Sequence, residues 1–305
     1  MAQIIFVHGI ANEQYSADYL ERGWRDQVAG GLRAAGNNDL ADRVSRDRSL
    51  DGAIDSRMAF YGNLFLEPGS QGGAASLKTP DEAQSAETLA AEWLENVAAR
   101  AKSEDDSRDA KRAIAAAQQD REGAQGKGAV TRWAFNALSR VPFFAEATFG
   151  AAQFIERALT QVVRYLEDPK IRPTAQRRVL DLLDENTRVL IGHSLGSIVA
   201  WEALHYSDHN VRLFLTIGSP LGLRRIVYPK LWPQPPVFPK RADRWVNVAD
   251  PEDFIASEPQ LDKLFPGGEG RFFGTWRVHN GASPHTAEFY LGKKEIGEEI
   301  ARALS

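Results

Sequence analysis

A serine between two glycines is the residue of this chain whose surroundings best predict chemistry. The pentapeptide Gly192-His193-Ser194-Leu195-Gly196 follows the apolar run 187–191 and precedes the helix-like run 197–204. This pattern between a strand and a helix is typical of a sharp turn that places the serine hydroxyl above the edge of the sheet, because glycine tolerates backbone geometry that other residues do not. We therefore interpret Ser194 as a nucleophile, and the alternative is a purely structural turn.

A serine hydroxyl needs a neighbouring base, and six histidines compete for this role. Reactive groups in a parallel α/β sheet are expected beyond the carboxyl ends of the strands. We favour His285, in the loop before the terminal helix, and His279 at the end of the last predicted strand is its main rival. His193 is expected to point away from the hydroxyl and to pack or form a hydrogen bond under the turn. His8 is expected to shape the loop after the first strand, and His205 and His209 are expected to lie at the surface.

The base in turn needs a carboxylate that orients it, and two aspartates follow the predicted strand 244–248. We favour Asp253, because the apolar residues 254–256 behind it could bury one side of the loop. Asp250 remains the alternative, although an aspartate before a proline commonly caps a turn. Either carboxylate would hold the imidazole tautomer and stabilise the imidazolium ion.

Two backbone N–H groups are required to bind the oxyanion that develops during attack on a carbonyl group. Leu195, next to Ser194 at the start of a predicted helix, is the first candidate. Ile10 is the second, since Gly9 lets the chain turn directly after the first strand. The alternative for this segment is an ordinary glycine turn. Losing one such donor typically removes about 2.7–4 kcal/mol of transition-state stabilisation.

The elements that must position these residues alternate between strands and helices. Strand-like runs cover 3–7, 57–61, 187–191, 211–217, 244–248 and 272–278. Helical spacing covers 16–35, 83–101, 145–166, 173–183, 197–204 and 293–304. We predict a single α/β domain over 1–305, with a mostly parallel central sheet of about six strands, flanking helices and right-handed crossovers.

A long segment, roughly 66–170, separates the second strand from the helix before the serine strand. Its part 102–128 predicts either a solvated helix with a linker or a disordered excursion. The apolar runs 131–138 and 140–159 could form a helical cap over Ser194 or pack on the core. A cap would favour acyl or other hydrophobic substrates.

Composition excludes several classes of function. The net charge of −4 makes nucleic acid an unexpected partner. The absence of cysteine removes disulfides, thiolate catalysis and cysteine metal sites. We expect no signal peptide, no transmembrane segment, a cytoplasmic location, and no metal or organic cofactor.

Five motifs together resemble the α/β-hydrolase superfamily, and within it the lipases and esterases. They are VHGI, GHSLGS, TIGSPLG, NVADPEDFIA and NGASPHTAEFYL, within about 1–65 and 185–304. The resemblance implies that Ser194 is the nucleophile, Asp253 the acid and His285 the base, in the chain order expected of this fold. It also implies that Ile10 and Leu195 provide the oxyanion hole. The chain departs from the larger fold by starting at its third strand and by carrying the long insertion.

The expected activity is hydrolysis of carboxylic esters through an acyl-enzyme, with a small-molecule or lipid-like acyl ester as substrate. Thioester hydrolysis or acyl transfer by the same three residues is the enzymatic alternative. A non-catalytic binding protein that retains the fold is the third hypothesis. The complete set of candidate residues argues against it, because a binding module has no need of all three.

Overall fold

A six-stranded parallel sheet forms the centre of the protein. The computed structural model describes residues 2–66, 76–123, 138–139, 141, 151–275 and 278–305. The strands of the sheet are β1 (Ile4–Val7), β2 (Ser56–Ala59), β3 (Val189–His193), β4 (Leu213–Ile217), β5 (Trp245–Val248) and β6 (Phe272–Thr275). Their spatial order is β2-β1-β3-β4-β5-β6, and each neighbouring pair is parallel. The predicted α/β class and central parallel sheet are therefore confirmed.

Helices flank this sheet on both faces. In the described part of the chain they are α1 (Ala17–Ala34), α2 (Asn38–Ser45), α3 (Pro80–Arg100), α4 (Glu104–Gly123), α5 (Ala151–Glu167), α6 (Ile171–Leu180), α7 (Leu195–Tyr206), α8 (Ala287–Leu291) and α9 (Lys294–Leu304). Two short 3-10 helices cover Gly62–Phe65 and Tyr228–Lys230. None of the described helices combines the length and the apolar character that crossing a membrane requires.

The strands contribute side chains to two separate apolar layers, because alternate residues of a strand point to opposite faces. In β1, Ile5 and Val7 join one hydrophobic cluster, and Ile4 and Phe6 join the other. All four side chains are buried, which explains why the sequence of β1 shows no alternation between apolar and polar residues.

One cluster lies under α1, α2, α8 and α9, and the other lies under α3, α5, α6 and α7. The helical spacing predicted for α1 places Trp24, Val28 and Leu32 in the first cluster. Tyr19 belongs to the same predicted stripe, but it is 65% exposed and stacks on Tyr15 instead. A tyrosine at the edge of an amphipathic stripe can keep its hydroxyl in water.

The segment 66–170 contributes three helices in its described part. Its stretch 102–128 contains α4, so the helical alternative is correct for Glu104–Gly123, while 124–128 lie outside the described residues. Ala110 of α4 is only 2% exposed and joins the cluster that also contains α3 and α5. Most of the two apolar runs proposed as a cap, 131–137, 140 and 142–150, also lies outside the described residues.

Two helices were not predicted from the sequence. The positive φ of Gly36, 81°, ends α1 as expected, but α2 begins almost at once at Asn38. The five-residue helix α8 starts two residues after His285 and is too short to show a periodic pattern.

The strand register brings the carboxyl ends of the central strands together. Val7 of β1 pairs with Gly192 of β3, and His193 pairs with Ile217 of β4. Ser194 and Gly218 directly follow the second pair, and Gly9 comes two residues after Val7. Parallel topology therefore places the loop after β1 and the loop after β4 on either side of the serine.

Candidate active site

The turn at Ser194 has a strained backbone that the surrounding structure holds in place. Ser194 has φ 52° and ψ −129°, values that residues with a side chain seldom adopt. A Cβ atom on Gly196 would lie 2.2 Å from the carbonyl oxygen of Val7, and one on Gly192 would lie 2.7 Å from Cα of Ser197. The two glycines are thus required because β3, α7 and β1 approach each other closely here.

Three side chains from different loops form a continuous hydrogen-bonded chain at this turn. Nε2 of His285 lies 2.9 Å from Oγ of Ser194. Nδ1 of His285 lies 2.8 Å from both carboxylate oxygens of Asp253, which is fully buried. An imidazole held between a hydroxyl and a carboxylate can accept the hydroxyl proton, while the carboxylate stabilises the resulting imidazolium ion.

Asp253 is held by groups that favour its ionised form. The hydroxyl group of Tyr290 donates a hydrogen bond of 2.8 Å to Oδ2. Burial raises the pKa of Asp253, but the nearby His285 ring and the hydrogen bonds from His285 and Tyr290 outweigh it, so the pKa lies below its usual value. Asp253 is therefore a carboxylate at neutral pH, as an acceptor behind His285 must be.

Sequence reasoning missed Tyr290. It lies in α8, within the motif NGASPHTAEFYL, and its hydroxyl group also accepts the backbone N–H of Asp250 at 2.8 Å. Burial raises the pKa of Tyr290 well above its usual value, so its hydroxyl group stays a donor. The only signal in the sequence was its position five residues after His285.

Asp250 occupies the alternative role that the sequence left open. Its Oδ1 accepts the N–H of Glu252 at 2.8 Å, and its Oδ2 accepts the N–H of Asn280. The carboxylate of Asp250 thus caps its own turn and ties it to the loop before His285. The structure brings Asp253, and not Asp250, against the imidazole.

His193 and His279 form hydrogen bonds with other partners. Nε2 of His193 lies 2.8 Å from the carbonyl oxygen of His285, and since a carbonyl can only accept, this nitrogen carries the proton. Burial, together with the proximity of His285, lowers the pKa of His193 to about 3, so its ring is neutral. His279 is exposed, and its carbonyl oxygen accepts a hydrogen bond of 2.7 Å from Nζ of Lys293.

His8 holds the loop after β1. Its Nε2 accepts the N–H groups of Tyr61 at 3.0 Å and Gly62 at 3.2 Å, and its Nδ1 donates to the carbonyl oxygen of Gly9 at 2.8 Å. These bonds require a neutral imidazole, and burial lowers the pKa of His8 to about 4. The ring also stacks on Tyr61, with centroids 4.2 Å apart.

The two candidate oxyanion donors belong to the segments directly after Ser194 and directly after Gly9. Leu195 begins α7, where the first N–H groups of a helix have no intrahelical acceptor. Ile10 follows Gly9, whose added Cβ would lie only 2.7 Å from Cβ of Ser194. The loop that contains Ile10 therefore approaches the serine at Gly9, and the role of Ile10 and Leu195 as donors stays a prediction.

A third glycine approaches the imidazole and the carboxylate from the loop after β4. Gly218 has a positive φ of 55°, and a Cβ atom there would lie 2.7 Å from Oδ2 of Asp253 and 3.2 Å from Nδ1 of His285. Its N–H donates to the carbonyl oxygen of Val248 at 3.0 Å. The motif TIGSPLG thus contributes a wall against which His285 and Asp253 pack.

Comparison with known proteins relates part of the chain to a hydrolase. A GPI inositol-deacylase of Emericella nidulans is 31% identical to it over 81 residues, which is 26% of this chain. The chain matches 7% of the length of that relative. No protein-family model and no solved structure matches the chain. Part of the chain is thus distantly similar to a hydrolase, and the parallel sheet with its flanking helices is consistent with an α/β-hydrolase-like fold.

Proposed function

We propose that this protein is a serine hydrolase that cleaves carboxylic esters through an acyl-enzyme on Ser194. One observation carries the proposal: Nε2 of His285 lies 2.9 Å from Oγ of Ser194 while Nδ1 faces the buried carboxylate of Asp253. Nucleophile, base and orienting acid are the three parts that acyl transfer to a serine requires.

In the proposed reaction, Oγ of Ser194 attacks the acyl carbon and Nε2 of His285 takes the hydroxyl proton. The oxyanion binds to the N–H groups of Leu195 and Ile10. His285 then gives its proton to the leaving alcohol oxygen, and the acyl group stays on Ser194. A water molecule, deprotonated by His285, then attacks the acyl carbon. The bond to Oγ of Ser194 breaks, His285 returns the proton to Oγ, and the carboxylic acid is released.

The partial similarity to a hydrolase supports this reaction class. That relative is named an inositol-deacylase, so it is described as removing an acyl group from inositol. An acylated inositol therefore belongs among the substrates to be tested, beside simple acyl esters. Acyl thioesters belong there too, because an acyl-enzyme on serine forms from either class.

A fluorophosphonate probe tests the nucleophile directly. We expect it to label the wild-type protein and to leave Ser194→Ala unlabelled, and we expect turnover of p-nitrophenyl esters to fall by about 10⁶-fold in that variant. Ser283→Ala is the matched control, because Ser283 is an exposed serine in the loop before His285. Labelling or turnover that persists in Ser194→Ala contradicts the proposal, and faster acylation by thioesters than by esters would favour a thioesterase.

A further inference from the structure

Two helices of the segment 66–170 extend polar side chains to two loops of the candidate active site. Helix α3 contacts the loop that contains Asp253, and α5 contacts the loop that contains Ile10. These contacts join residues about 150 positions apart in the chain. The insertion therefore reaches the candidate active site through specific hydrogen bonds as well as through apolar packing.

The loop of Asp253 is held by two side chains on one face of α3. Nη2 of Arg100 donates to the carbonyl oxygens of Asp253 at 3.1 Å and Ala256 at 2.8 Å. Nδ2 of Asn96 donates to the carbonyl oxygens of Phe254 at 2.8 Å and Ala256 at 3.3 Å. Since residues four apart on a helix face the same way, Asn96 and Arg100 act together on this loop.

The loop after β1 is held by α5. Oε1 of Gln161 accepts the N–H of Ala11 at 2.9 Å, and its Nε2 donates to Oε2 of Glu13 at 2.8 Å. Ala11 has a positive φ of 58°, which is unfavourable for a residue with a Cβ atom by about 1–2 kcal/mol. The buried amide of Gln161 thus fixes a strained residue directly after Ile10.

Apolar contacts already dock these helices, since Leu89, Trp93 and Val97 of α3 are buried in the same hydrophobic cluster as Leu195. Burying a polar side chain is unfavourable unless it forms hydrogen bonds. Most of these bonds end on backbone atoms of the two loops, so they define the path of the loop rather than the position of one side chain. Their effect is to fix where Asp253 and Ile10 lie.

We propose that Arg100, Asn96 and Gln161 are positioning residues, which keep Asp253 behind His285 and the loop of Ile10 beside Ser194. The insertion is then part of the catalytic apparatus. The consequence for turnover rests on the proposed function. The consequence for the geometry of Asp253 and His285 does not rest on it. The effect on turnover and the effect on geometry can therefore be tested separately.

The first test removes the donors of Arg100. Arg100→Met keeps the unbranched stem of the side chain and removes the guanidinium group, and Arg100→Lys keeps a single charged donor. We expect kcat to fall by about 10²-fold in Arg100→Met with KM within about twofold, and Arg100→Lys to recover part of the loss. The control is Lys102→Met. Lys102 is exposed and forms an ion pair with Glu252, which lies in the same loop as Asp253. Loss of this ion pair should leave kcat at the wild-type value.

The second readout does not depend on activity. In the wild-type protein the proton on Nδ1 of His285 donates to the Asp253 carboxylate, so proton NMR should show it far downfield. Asp253→Asn identifies this resonance by abolishing it. We expect Arg100→Met to weaken or shift the same resonance, and Lys102→Met to leave it unchanged. In the Asp253→Asn background, Arg100→Met should change kcat by less than about twofold, because coupled residues are not additive.

The third test exchanges the buried pair Gln161 and Glu13. Gln161→Glu places two carboxylates together and should lower kcat. The double variant Gln161→Glu/Glu13→Gln restores an acceptor for the N–H of Ala11 and a donor between the two side chains. We expect it to return kcat to within about threefold of the wild-type value, as a restored pair does in a double-mutant cycle. Glu13→Gln should not rescue Gln161→Leu.

The inference is wrong if Arg100→Met and Gln161→Glu lower the melting temperature but leave kcat and the downfield resonance unchanged. If Arg100→Met does not fold, Arg100→Lys and the exchanged pair decide the question. If the resonance responds to Arg100 but the wild-type protein has no Ser194-dependent turnover, the proposed function fails and the positioning role stands. If turnover depends on Ser194 but substitutions of Arg100 and Gln161 change neither the resonance nor kcat, only the positioning role fails.

Discussion

His285 is held at three points, two on its ring and one on its backbone. Nδ1 is hydrogen-bonded to Asp253, which lies in the loop after β5, and Nε2 is hydrogen-bonded to Ser194, which lies in the turn after β3. The carbonyl oxygen of His285 accepts the Nε2–H of His193. Because ring and backbone are both bound, the histidine has one orientation and one tautomer before any substrate arrives.

The choice between the two histidines of the last loop gives the first prediction. We expect His285→Ala to lower ester turnover by about 10⁴-fold or more, because it removes the group beside Oγ of Ser194. His279→Ala should stay within about twofold of the wild-type rate, since the side chain of His279 is exposed. Steady-state kinetics on one p-nitrophenyl ester compares the two, and a larger loss in His279→Ala would contradict the assignment.

The two aspartates of the loop after β5 should separate catalysis from stability. Asp253→Asn should lower kcat by about 10⁴-fold, because an amide does not stabilise the imidazolium ion as a carboxylate does. Asp250→Asn should mainly lower the free energy of unfolding, by about 1 kcal/mol, since its carboxylate caps backbone N–H groups. Kinetics and urea unfolding of both variants test this, and the reverse pattern would make Asp250 the acid.

At the scale of elements, the unit of β3, turn and α7 depends on close contact with β1. The carbonyl oxygen of Val7 lies where a side chain on Gly196 would be, so the start of α7 packs directly against the end of β1. The same contact brings Gly9 against Ser194. The strained serine and the candidate oxyanion loop are therefore two consequences of one packing contact.

Helix α4 gives a prediction at this scale. Its Ala110 is buried in the cluster formed with α3, whereas the next residue, Lys111, is exposed. We expect Ala110→Asp to lower the free energy of unfolding by about 3 kcal/mol, because it buries a carboxylate in an apolar layer. Lys111→Asp should change it by less than about 0.5 kcal/mol. If both substitutions lower the free energy of unfolding equally in urea, α4 is a solvated helix that does not pack on the apolar layer.

At the scale of the whole molecule, two buried neutral histidines couple folding to pH. Burial lowers the pKa of His8 to about 4 and, with the proximity of His285, that of His193 to about 3. In the unfolded chain both side chains bind a proton below about pH 6.5. Between these values the unfolded chain binds more protons than the folded one. The contribution of these two histidines to the free energy of unfolding is therefore largest above pH 6.5 and falls as the pH is lowered towards 4.

His8 alone should account for about 3 kcal/mol of this loss, at about 1.4 kcal/mol for each pH unit. We expect His8→Asn to reduce the slope of unfolding free energy against pH by about that amount between pH 6 and pH 4.5. Urea unfolding at several pH values measures the slope, and His279→Asn is the exposed control. A slope that is the same in wild type and His8→Asn would mean that His8 is already charged in the folded protein.

The sequence alone determined the parts of this protein whose signals are local. Unbroken apolar runs predicted the buried strands, because a strand covered on both faces has no polar side. The glycines at 192 and 196 predicted the sharp turn, because the close approach of neighbouring backbone leaves no room for a side chain at either position. The order of loops after the strands then narrowed the candidates to Ser194, two aspartates and two histidines, because parallel strands end at one edge of the sheet.

Only the tertiary structure decided which aspartate meets the imidazole and what holds the loops in place. Asp250 and Asp253 are three residues apart in one loop. The hydroxyl group of Tyr290 in α8 is hydrogen-bonded to the backbone N–H of Asp250 and to the carboxylate of Asp253. Arg100 and Gln161 meet loops about 150 residues away in the chain. Such hydrogen bonds leave no periodic pattern in the sequence, because they depend on how separate helices dock and not on the spacing of neighbouring residues.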